Sequence, residues 1–120
     1  MSRFVIQEHN ASNLHWDFRL EIDGVLRSWA VPKGVPTQPG IKRLAVSVED
    51  HPLDWLNFKG TIKEGYGKGT VKIWDSGKYE MVGEYPDKIE FDLEGKKCKG
   101  QYTMIKFKLG QWLILKNKEG

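Results

Sequence analysis

The sequence predicts an all-β protein, a closed or crescent-shaped barrel of about eight strands with short turns and little helix. Two observations support this prediction. Apolar and polar residues alternate along most of the chain, and 13 glycines are distributed between the alternating segments. No amphipathic helix of useful length is present in the pattern. The length of 120 residues indicates a single domain, residues 1–120.

The clearest element is the segment Leu14–Ile22, in which every second residue is apolar. Asp23-Gly24 follows it and is typical of a tight hairpin turn into a strand at Val25–Val31. The same periodicity predicts further strands at Phe4–Glu8, Leu44–Val48, Thr70–Trp74, Lys78–Val82, Lys88–Leu93, Gln101–Lys108 and Trp112–Lys116. Turns are expected at Asp75-Ser76-Gly77, Glu64–Gly69, Gly95 and Gly110, a strand end at Gly83, and a helical turn after Pro52.

Composition excludes several classes of protein. No apolar stretch approaches the roughly 20 residues of a membrane-spanning helix, and the first residues lack the apolar run of a signal peptide. Cys98 is the single cysteine, so a disulfide framework is impossible. We therefore expect a soluble, cytoplasmic protein. Its 19 basic and 16 acidic residues give a net charge of +3, a surplus compatible with nucleic-acid binding.

The predicted strand Leu14–Ile22 carries polar side chains on the face opposite its apolar ones. Successive members of this face lie roughly 7 Å apart along the strand. They are His15, Asp17, Arg19 and Glu21. If the preceding strand lies alongside, it adds Gln7 and His9, which share one parity.

The third histidine, His51, follows from a different strand. Alternation through Arg43, Ala45, Ser47 and Glu49 leads to His51. If the first strands are neighbours, all three histidines are expected to meet in one mouth of the barrel.

These residue types suit phosphoryl chemistry. Two imidazoles and one carboxylate bind a divalent first-row metal and leave coordination positions open for a phosphoryl oxygen or a water. A neighbouring arginine adds a forked donor for phosphate oxygens, and a further histidine can donate a hydrogen bond or a proton to a leaving oxygen. An ordinary exposed strand face has the same pattern, so spacing alone leaves both interpretations open.

Two rival functions also fit parts of the pattern. A small cupin-like iron oxygenase would use the same two histidines and one carboxylate. A basic β-barrel that binds single strands through aromatic residues would need no metal.

Several motifs together resemble one known family, the 3′-phosphoesterase domain of bacterial DNA ligase D. The resemblance begins with Phe4–His9 and Leu14–Glu21 and extends over nearly the whole chain. Further matching segments, in the family's order and spacing, are Ser28–Gly34, Lys42–Val46, Glu49–Asp54, Gly69–Val71, Trp74-Asp75 and Trp112–Lys116. The chain looks like the stand-alone form found in archaea and some bacteria.

The resemblance implies an eight-stranded barrel with a hydrophilic site in a crescent-shaped interior and Mn²⁺ as cofactor, with Co²⁺ or Zn²⁺ as alternatives. Such enzymes remove 3′-terminal ribonucleosides and 3′-phosphates from DNA or RNA ends and leave a 3′-hydroxyl. By position, His9, His15 and Asp17 would hold the metal, and Arg19 and His51 would bind the scissile phosphate. Supporting residues would be Gln7, Lys33, Arg43, Glu49, Glu21 and Trp55. Separate ligase, polymerase and Ku-like end-joining proteins are the expected partners.

The sequence departs from the family pattern in three places. It starts too late to include the N-terminal extension of bacterial members, which assists ribonucleoside removal, so we expect an altered balance between diesterase and monoesterase activity. Trp55 replaces a frequent tyrosine and offers no hydroxyl. The glycine-rich segment beginning at Glu64 is one residue shorter than in most ligase D sequences.

Overall fold

The computed structural model describes residues 2–63, 65 and 68–118. Over these ranges the chain forms nine β-strands and one short 3₁₀ helix at Leu53–Asn57. The strands are β1 (Ser2–Asn10), β2 (Leu14–Ile22), β3 (Val25–Val31), β4 (Lys42–His51), β5 (Gly60–Ile62), β6 (Gly69–Tyr85), β7 (Lys88–Glu94), β8 (Lys99–Lys108) and β9 (Gln111–Lys116). Among these residues no helix is both long and apolar enough to span a bilayer.

Eight of the strands form a closed antiparallel barrel, which confirms the predicted fold class. Their order is β1-β2-β3-β4-β9-β8-β7-β6, and β6 returns to pair with β1. The ninth strand, β5, pairs with the first residues of β6 outside this ring. The Asp23-Gly24 hairpin is also confirmed, because both residues have the positive φ angles, 52° and 83°, that a type I′ turn requires.

The barrel interior is apolar. Every strand of the ring contributes to one cluster of buried side chains, which includes Phe4, Phe18, Trp29, Ala45, Tyr79, Phe91, Tyr102 and Ile114. Trp16 and Trp74 are half-buried and pack against it. The predicted core role of these two tryptophans and Trp29 therefore holds.

The outer face of β1–β3 is buried as well. A second cluster joins Val5 of β1 and Leu26 of β3 to Leu56 of the 3₁₀ helix, with Trp55 packed against it. The helix begins directly after Pro52, whose extended conformation precedes the first helical residue, as predicted. Because both faces of β2 are covered, its polar side chains lie in a partly desolvated environment.

The predicted turn at Asp75-Ser76-Gly77 is wrong, as is the strand end at Gly83. Residues Gly69–Tyr85 form one continuous strand, β6, which pairs with β1 along its first part and with β7 along its second part. The register slips by one residue between Ile6 and Gln7, so Trp74 is extra in the β6 strand. The polar, glycine-containing sequence therefore marks a bulge and not a chain reversal.

Asp75 explains why a turn-like sequence is tolerated there. Its carboxylate accepts backbone N–H groups of the β7–β8 turn, from Lys96 (2.9 Å), Lys97 (3.1 Å) and Cys98 (2.8 Å). Gly95 is required beside it, because a Cβ atom at this position would lie 2.3 Å from Asp75 Oδ2. The predicted turn at Gly95 is confirmed as part of the β7–β8 turn. Of the predicted turn Glu64–Gly69, Glu64, Tyr66 and Gly67 lie outside the described residues.

Candidate active site

The polar site lies on the outer face of the barrel, not in its interior or mouth as the sequence led us to expect. Phe18 and Leu20 of β2 belong to the interior cluster, so Asp17 and Arg19 face outward. On β1, Ile6 faces inward and Gln7 outward in the same way. The expectation failed because alternation identifies two faces of a strand but does not say which one the barrel encloses.

Three potential metal ligands meet between β1 and β2. The two strands pair with His9 opposite His15 and Gln7 opposite Asp17. His9 Nδ1 lies 3.2 Å from Asp17 Oδ2, and His15 Nε2 lies 3.1 Å from Asp17 Oδ1. All three ligand atoms fall within 4.8 Å of one another. The hairpin therefore places two imidazole nitrogens and one carboxylate at a single point.

This donor set fits a divalent first-row metal ion. Nitrogen from histidine and oxygen from a carboxylate suit manganese, cobalt and zinc, and three protein ligands leave positions for other groups. Asp17 and His9 are each 7% exposed, so the ligands are shielded but not sealed from solvent. The chemistry of the residues present is thus compatible with the cofactor that the sequence led us to expect.

His15 and Asp17 shift each other's pKa in opposite directions. The hydrogen bond that His15 donates to Asp17 raises the pKa of His15, and burial of the ring only partly opposes this effect. For Asp17, burial raises the pKa, but the His15 hydrogen bond and the charges of Arg19 and both histidines outweigh it and hold the pKa below its usual value. Asp17 is consequently a carboxylate at neutral pH, as a metal ligand must be.

Arg19 is held rigidly beside the cluster. Its Nε donates to Gln7 Oε1 (2.7 Å), its Nη1 donates to Ser28 Oγ (2.8 Å), and its Nη2 lies 3.5 Å from Asp17 Oδ2. Arg19 is only 3% exposed, and burial lowers its pKa, yet an arginine remains charged at physiological pH. Gln7 is itself fixed, because its Nε2 donates to the carbonyls of Trp55 (2.8 Å) and Phe58 (3.0 Å).

His51 reaches the same face only because β4 is irregular. Ser28 pairs with Val48 and Leu26 pairs with His51, so one extra β4 residue lies between these pairs. Ala45 faces the interior, and uninterrupted alternation from it would turn His51 inward. The predicted route to His51 is therefore wrong, although its predicted place beside Arg19 is observed, with Nδ1 3.1 Å from Arg19 Nη1.

Burial and the charge of Arg19 lower the pKa of His51, so its imidazole is neutral near pH 7. His51 Nδ1 also lies 3.0 Å from the Glu49 carbonyl. Arg19 can only donate, and a charge-assisted bond is the stronger of the two. We therefore assign the lone pair to Nδ1 and the proton to Nε2.

Trp55 packs against both phosphate-binding candidates. Its ring contacts His51 edge-on at 4.8 Å between centroids, and the Arg19 guanidinium carbon lies 5.3 Å from the centre of its ring. Phe58 packs on it at 4.4 Å. Trp55 thus belongs to the candidate site and not to the barrel core. The sequence left both of these locations open.

Of the remaining predicted site residues, Glu49 contacts this centre through its backbone carbonyl, which lies 3.0 Å from His51 Nδ1. Arg43 Nη1 donates to the carbonyls of Lys33 and Gly34 and so anchors the proline-containing loop after β3. Lys33 and Glu49 are exposed. Glu21 accepts the backbone N–H of Arg3 at 3.0 Å, farther along β2.

Two residues of the site, Ser28 and Phe58, were not predicted from the sequence. Ser28 is buried and orients Arg19, and its place on β3 opposite Arg19 follows directly from the Asp23-Gly24 hairpin register. Ser28 could therefore have been predicted from the register of this hairpin. Phe58 supplies a carbonyl to Gln7 and a ring to Trp55, and no periodic pattern in its loop pointed to it.

Comparison with known proteins identifies the family of this chain. The profile of the DNA ligase D 3′-phosphoesterase domain matches residues 7–106. The chain belongs to this family. It is 46% identical to the multifunctional non-homologous end joining protein LigD of Pseudomonas aeruginosa over 128 residues, and to the end joining DNA repair protein LigD of Mycobacterium tuberculosis over 123 residues.

The similarity to these ligase D proteins covers nearly all of this chain but little of theirs. It extends over 98% of the chain for the Pseudomonas protein and 97% for the Mycobacterium protein, but over only 15% and 16% of their own lengths. A LigD protein of Mycolicibacterium smegmatis shows the same pattern, with 46% identity over 98% of the chain and 17% of the relative. The chain therefore spans about one sixth of the length of the curated relatives it matches.

Proposed function

We propose that this protein is a metal-dependent phosphoesterase that heals the 3′ ends of DNA or RNA for repair and ligation. It would remove terminal 3′-phosphates and 3′-ribonucleosides and leave a 3′-hydroxyl. The observation that supports this most is the continuous polar network from His9 and His15 through Asp17 and Arg19 to His51. Membership of the ligase D 3′-phosphoesterase family supports the same reaction class.

His9, His15 and Asp17 are the residues proposed to hold the divalent metal, with Mn²⁺ first and Co²⁺ or Zn²⁺ as alternatives. A bound cation would supply Lewis acidity toward a phosphoryl oxygen and lower the pKa of a bound water. The carboxylate of Asp17 would also offset the charge of Arg19 before substrate arrives. Gln7 and Ser28 would keep the guanidinium in one plane, which leaves Nη2 to bind a phosphate oxygen.

His51 is proposed to act as a hydrogen-bond donor. Because its Nδ1 accepts from Arg19, its Nε2–H can donate to a phosphate oxygen or to the leaving oxygen. A neutral imidazole is a poor proton donor, so hydrogen bonding and not full proton transfer is its role near pH 7. Lys33, Arg43 and Glu49 would contact more distant parts of the substrate, and Glu21 would act through β2.

The decisive experiment uses a DNA strand ending in a 3′-phosphate and a second strand ending in a 3′-ribonucleotide. With Mn²⁺, both are expected to yield a 3′-hydroxyl that a polymerase can extend. The Asp17→Asn variant should lose at least 100-fold in rate, roughly 3 kcal/mol of transition-state stabilisation. Asp92→Asn on β7 makes the same chemical change far from the site and serves as the matched control.

No 3′-hydroxyl with Mn²⁺, Co²⁺ or Zn²⁺ would overturn the proposed activity. Strand binding that persists in Asp17→Asn without any product would instead indicate a binding module. Full activity in Asp17→Asn would mean that the site is elsewhere.

In cells, the reaction would supply ends to a separate ligase and polymerase. A Ku-like end-binding protein is the third proposed partner, because the relatives are end-joining proteins by name.

A further inference from the structure

The outer side of β4, β9 and β8 carries a contiguous set of apolar side chains. Leu44 pairs with Leu113, and Leu113 pairs with Ile105, so these three side chains form one row across the strands. Chain neighbours of all three belong to the interior cluster, so the row itself points outward. Two further apolar residues lie two positions along the same strands, on the same side. We call the set the apolar face, which consists of Leu44, Val46, Ile105, Leu113 and Leu115.

The apolar face is open to solvent. Leu44 is 39% exposed and Ile105 is 40% exposed, and the other three residues are half-buried. At the β8–β9 turn nearby, Phe107 and Leu109 are also exposed. Single exposed apolar side chains are common on protein surfaces, but contiguous ones mark an interaction surface.

The border of the apolar face is rich in lysine. The hairpin of β8 and β9, residues 99–116, contains four lysines and no acidic residue. Lys42 pairs with Leu115 at one border of the face. Lys106 and Lys108 lie at the β8–β9 end, where Lys108 pairs with Gln111.

Acidic residues close to the apolar face are fewer. Glu90 on β7 forms an ion pair with Lys88, with 2.9 Å between Nζ and Oε1. Asp87 lies near Lys106, whose backbone N–H donates to the Asp87 carbonyl (2.8 Å). The border therefore keeps a positive surplus, which favours a negatively charged partner.

A partner on the apolar face leaves the candidate active site accessible. In the ring of strands, β9 is three positions away from β2, which carries Asp17, and β8 is four positions away. The two acids of β4, Glu49 and Asp50, lie at its His51 end, toward the candidate site. A partner and a nucleic-acid end can therefore be bound at the same time.

A protein fits the apolar face better than nucleic acid or a second copy of this chain. Surfaces that bind single strands offer aromatic rings to the bases, whereas all five residues of the face are aliphatic. A second copy would place one lysine-rich border against another. An apolar centre with a charged border is the usual composition of a protein interface.

The length of the relatives indicates which kind of protein this is. The ligase D proteins are about six times as long as this chain, so their matching region is joined to further polypeptide. Domains joined in one chain commonly contact each other through surfaces of moderate size. The apolar face is a surface that such a neighbour can cover.

We propose that the apolar face docks an end-joining protein through an apolar patch bordered by acidic residues. The partner is polypeptide of the kind that accompanies this domain in the longer relatives. The inference goes beyond the proposed reaction and does not require it, because docking uses no residue of the candidate active site.

The test measures binding to the LigD protein of Pseudomonas aeruginosa from which the region matching this chain has been removed. Ile105→Glu places a negative charge in the centre of the apolar face. Ile73→Glu makes the same change at a similarly exposed position on β6, 37% against 40%, and is the matched control. Calorimetry should show a Kd about tenfold or more weaker for Ile105→Glu and unchanged for Ile73→Glu. Equal melting temperatures would show that both variants fold.

Charge reversal gives a second measurement. Lys42→Glu/Lys108→Glu should weaken binding and remove most of its salt dependence, because both lysines border the face. Lys72→Glu/Lys97→Glu reverses two exposed lysines on other parts of the barrel and should keep the salt dependence of the unmodified protein.

Absence of binding, or equal losses in Ile105→Glu and Ile73→Glu, would overturn the proposal. A dimer that Ile105→Glu dissociates would assign the face to a second copy, and DNA binding lost in Ile105→Glu would assign it to nucleic acid, and either result would also overturn it. Binding that depends on Ile105, together with no 3′-hydroxyl product from the unmodified protein, would support docking while refuting the proposed reaction.

Discussion

Arg19 shows how much protein structure is needed to position one guanidinium. Four side chains, those of Gln7, Asp17, Ser28 and His51, contact its nitrogens, and Trp55 covers its face. A side chain with this many partners loses little further conformational freedom when it binds a phosphate. The entropic cost of ordering the Arg19 side chain therefore arises during folding and not when substrate binds.

Trp55 packs against both His51 and Arg19, and variants that change the size and aromaticity of its side chain test its role. Trp55→Phe keeps a ring against Arg19 and His51, so we expect less than about a fivefold loss in kcat/KM. Trp55→Leu removes a cation–π contact of about 0.5–2 kcal/mol, and we expect a loss of about tenfold. Equal activities in the two variants, with equal melting temperatures, would contradict this role.

Cys98 allows a pH-dependent prediction. Burial raises the pKa of its thiol to about 11, so the protonated form dominates below that pH. At pH 8 only about one thiol in a thousand is ionised, and only the thiolate reacts with iodoacetamide. Alkylation should be slow in native protein, accelerate as pH approaches 11, and be fast in urea. A native rate at pH 8 equal to the rate in urea would refute the assignment.

At the level of elements, the sequence identifies regular strands well and irregular ones poorly. The strands predicted at Leu14–Ile22 and Val25–Val31 match β2 and β3 residue for residue. The errors concentrate at the bulges of β4 and β6, since each inserts one residue that has no signature in the alternation. The interaction of Asp75 with the β7–β8 turn is likewise non-local, so it cannot be predicted from the residues next to Asp75 in the sequence.

The bulge of β6 should depend on Asp75. In Asp75→Asn, an amide replaces one acceptor oxygen and leaves buried N–H groups of the β7–β8 turn without a partner. The expected loss in unfolding free energy is about 1–3 kcal/mol, measured by urea denaturation. Ser76→Ala is the control, because Ser76 contributes its backbone N–H and not its hydroxyl. Equal losses in the two variants would show that the carboxylate is not the stabilising group.

At the scale of the whole molecule, the clustering of the candidate metal ligands could be predicted because these residues are close in sequence. The position of the cluster relative to the barrel could not. His9 and Asp17 are eight residues apart, and one hairpin register brings them together. Placing them outside the barrel depends on the 3₁₀ helix, which covers the outer face of β1 and β3. Phe18 faces the barrel interior and Arg19 faces outward, yet both are buried. Hydrophobicity alone is therefore a weak guide to which face of β2 the barrel encloses.

Metal binding should stabilise the whole barrel. A ligand that binds only the folded state at 100 times its Kd adds about 2.7 kcal/mol of stability. Mn²⁺ is therefore expected to raise the melting temperature by several degrees, and EDTA to reverse the rise. Asp17→Asn should abolish the shift, while Asp92→Asn should keep it. A shift of equal size in Asp17→Asn would locate the metal elsewhere.

β1 pairs with both β2 and β6, and we expect these two pairings to form on different time scales during folding. The β1–β2 hairpin needs only local contacts, so its histidines and aspartate can assemble on the microsecond scale of hairpin formation. Barrel closure must bring Phe4 beside Gly77 and is a far less local event. On a ribosome, the ligands of the candidate metal site emerge together long before β6 exists. The candidate metal site is thus among the first parts of this molecule that can form, and the barrel that shields it is completed later.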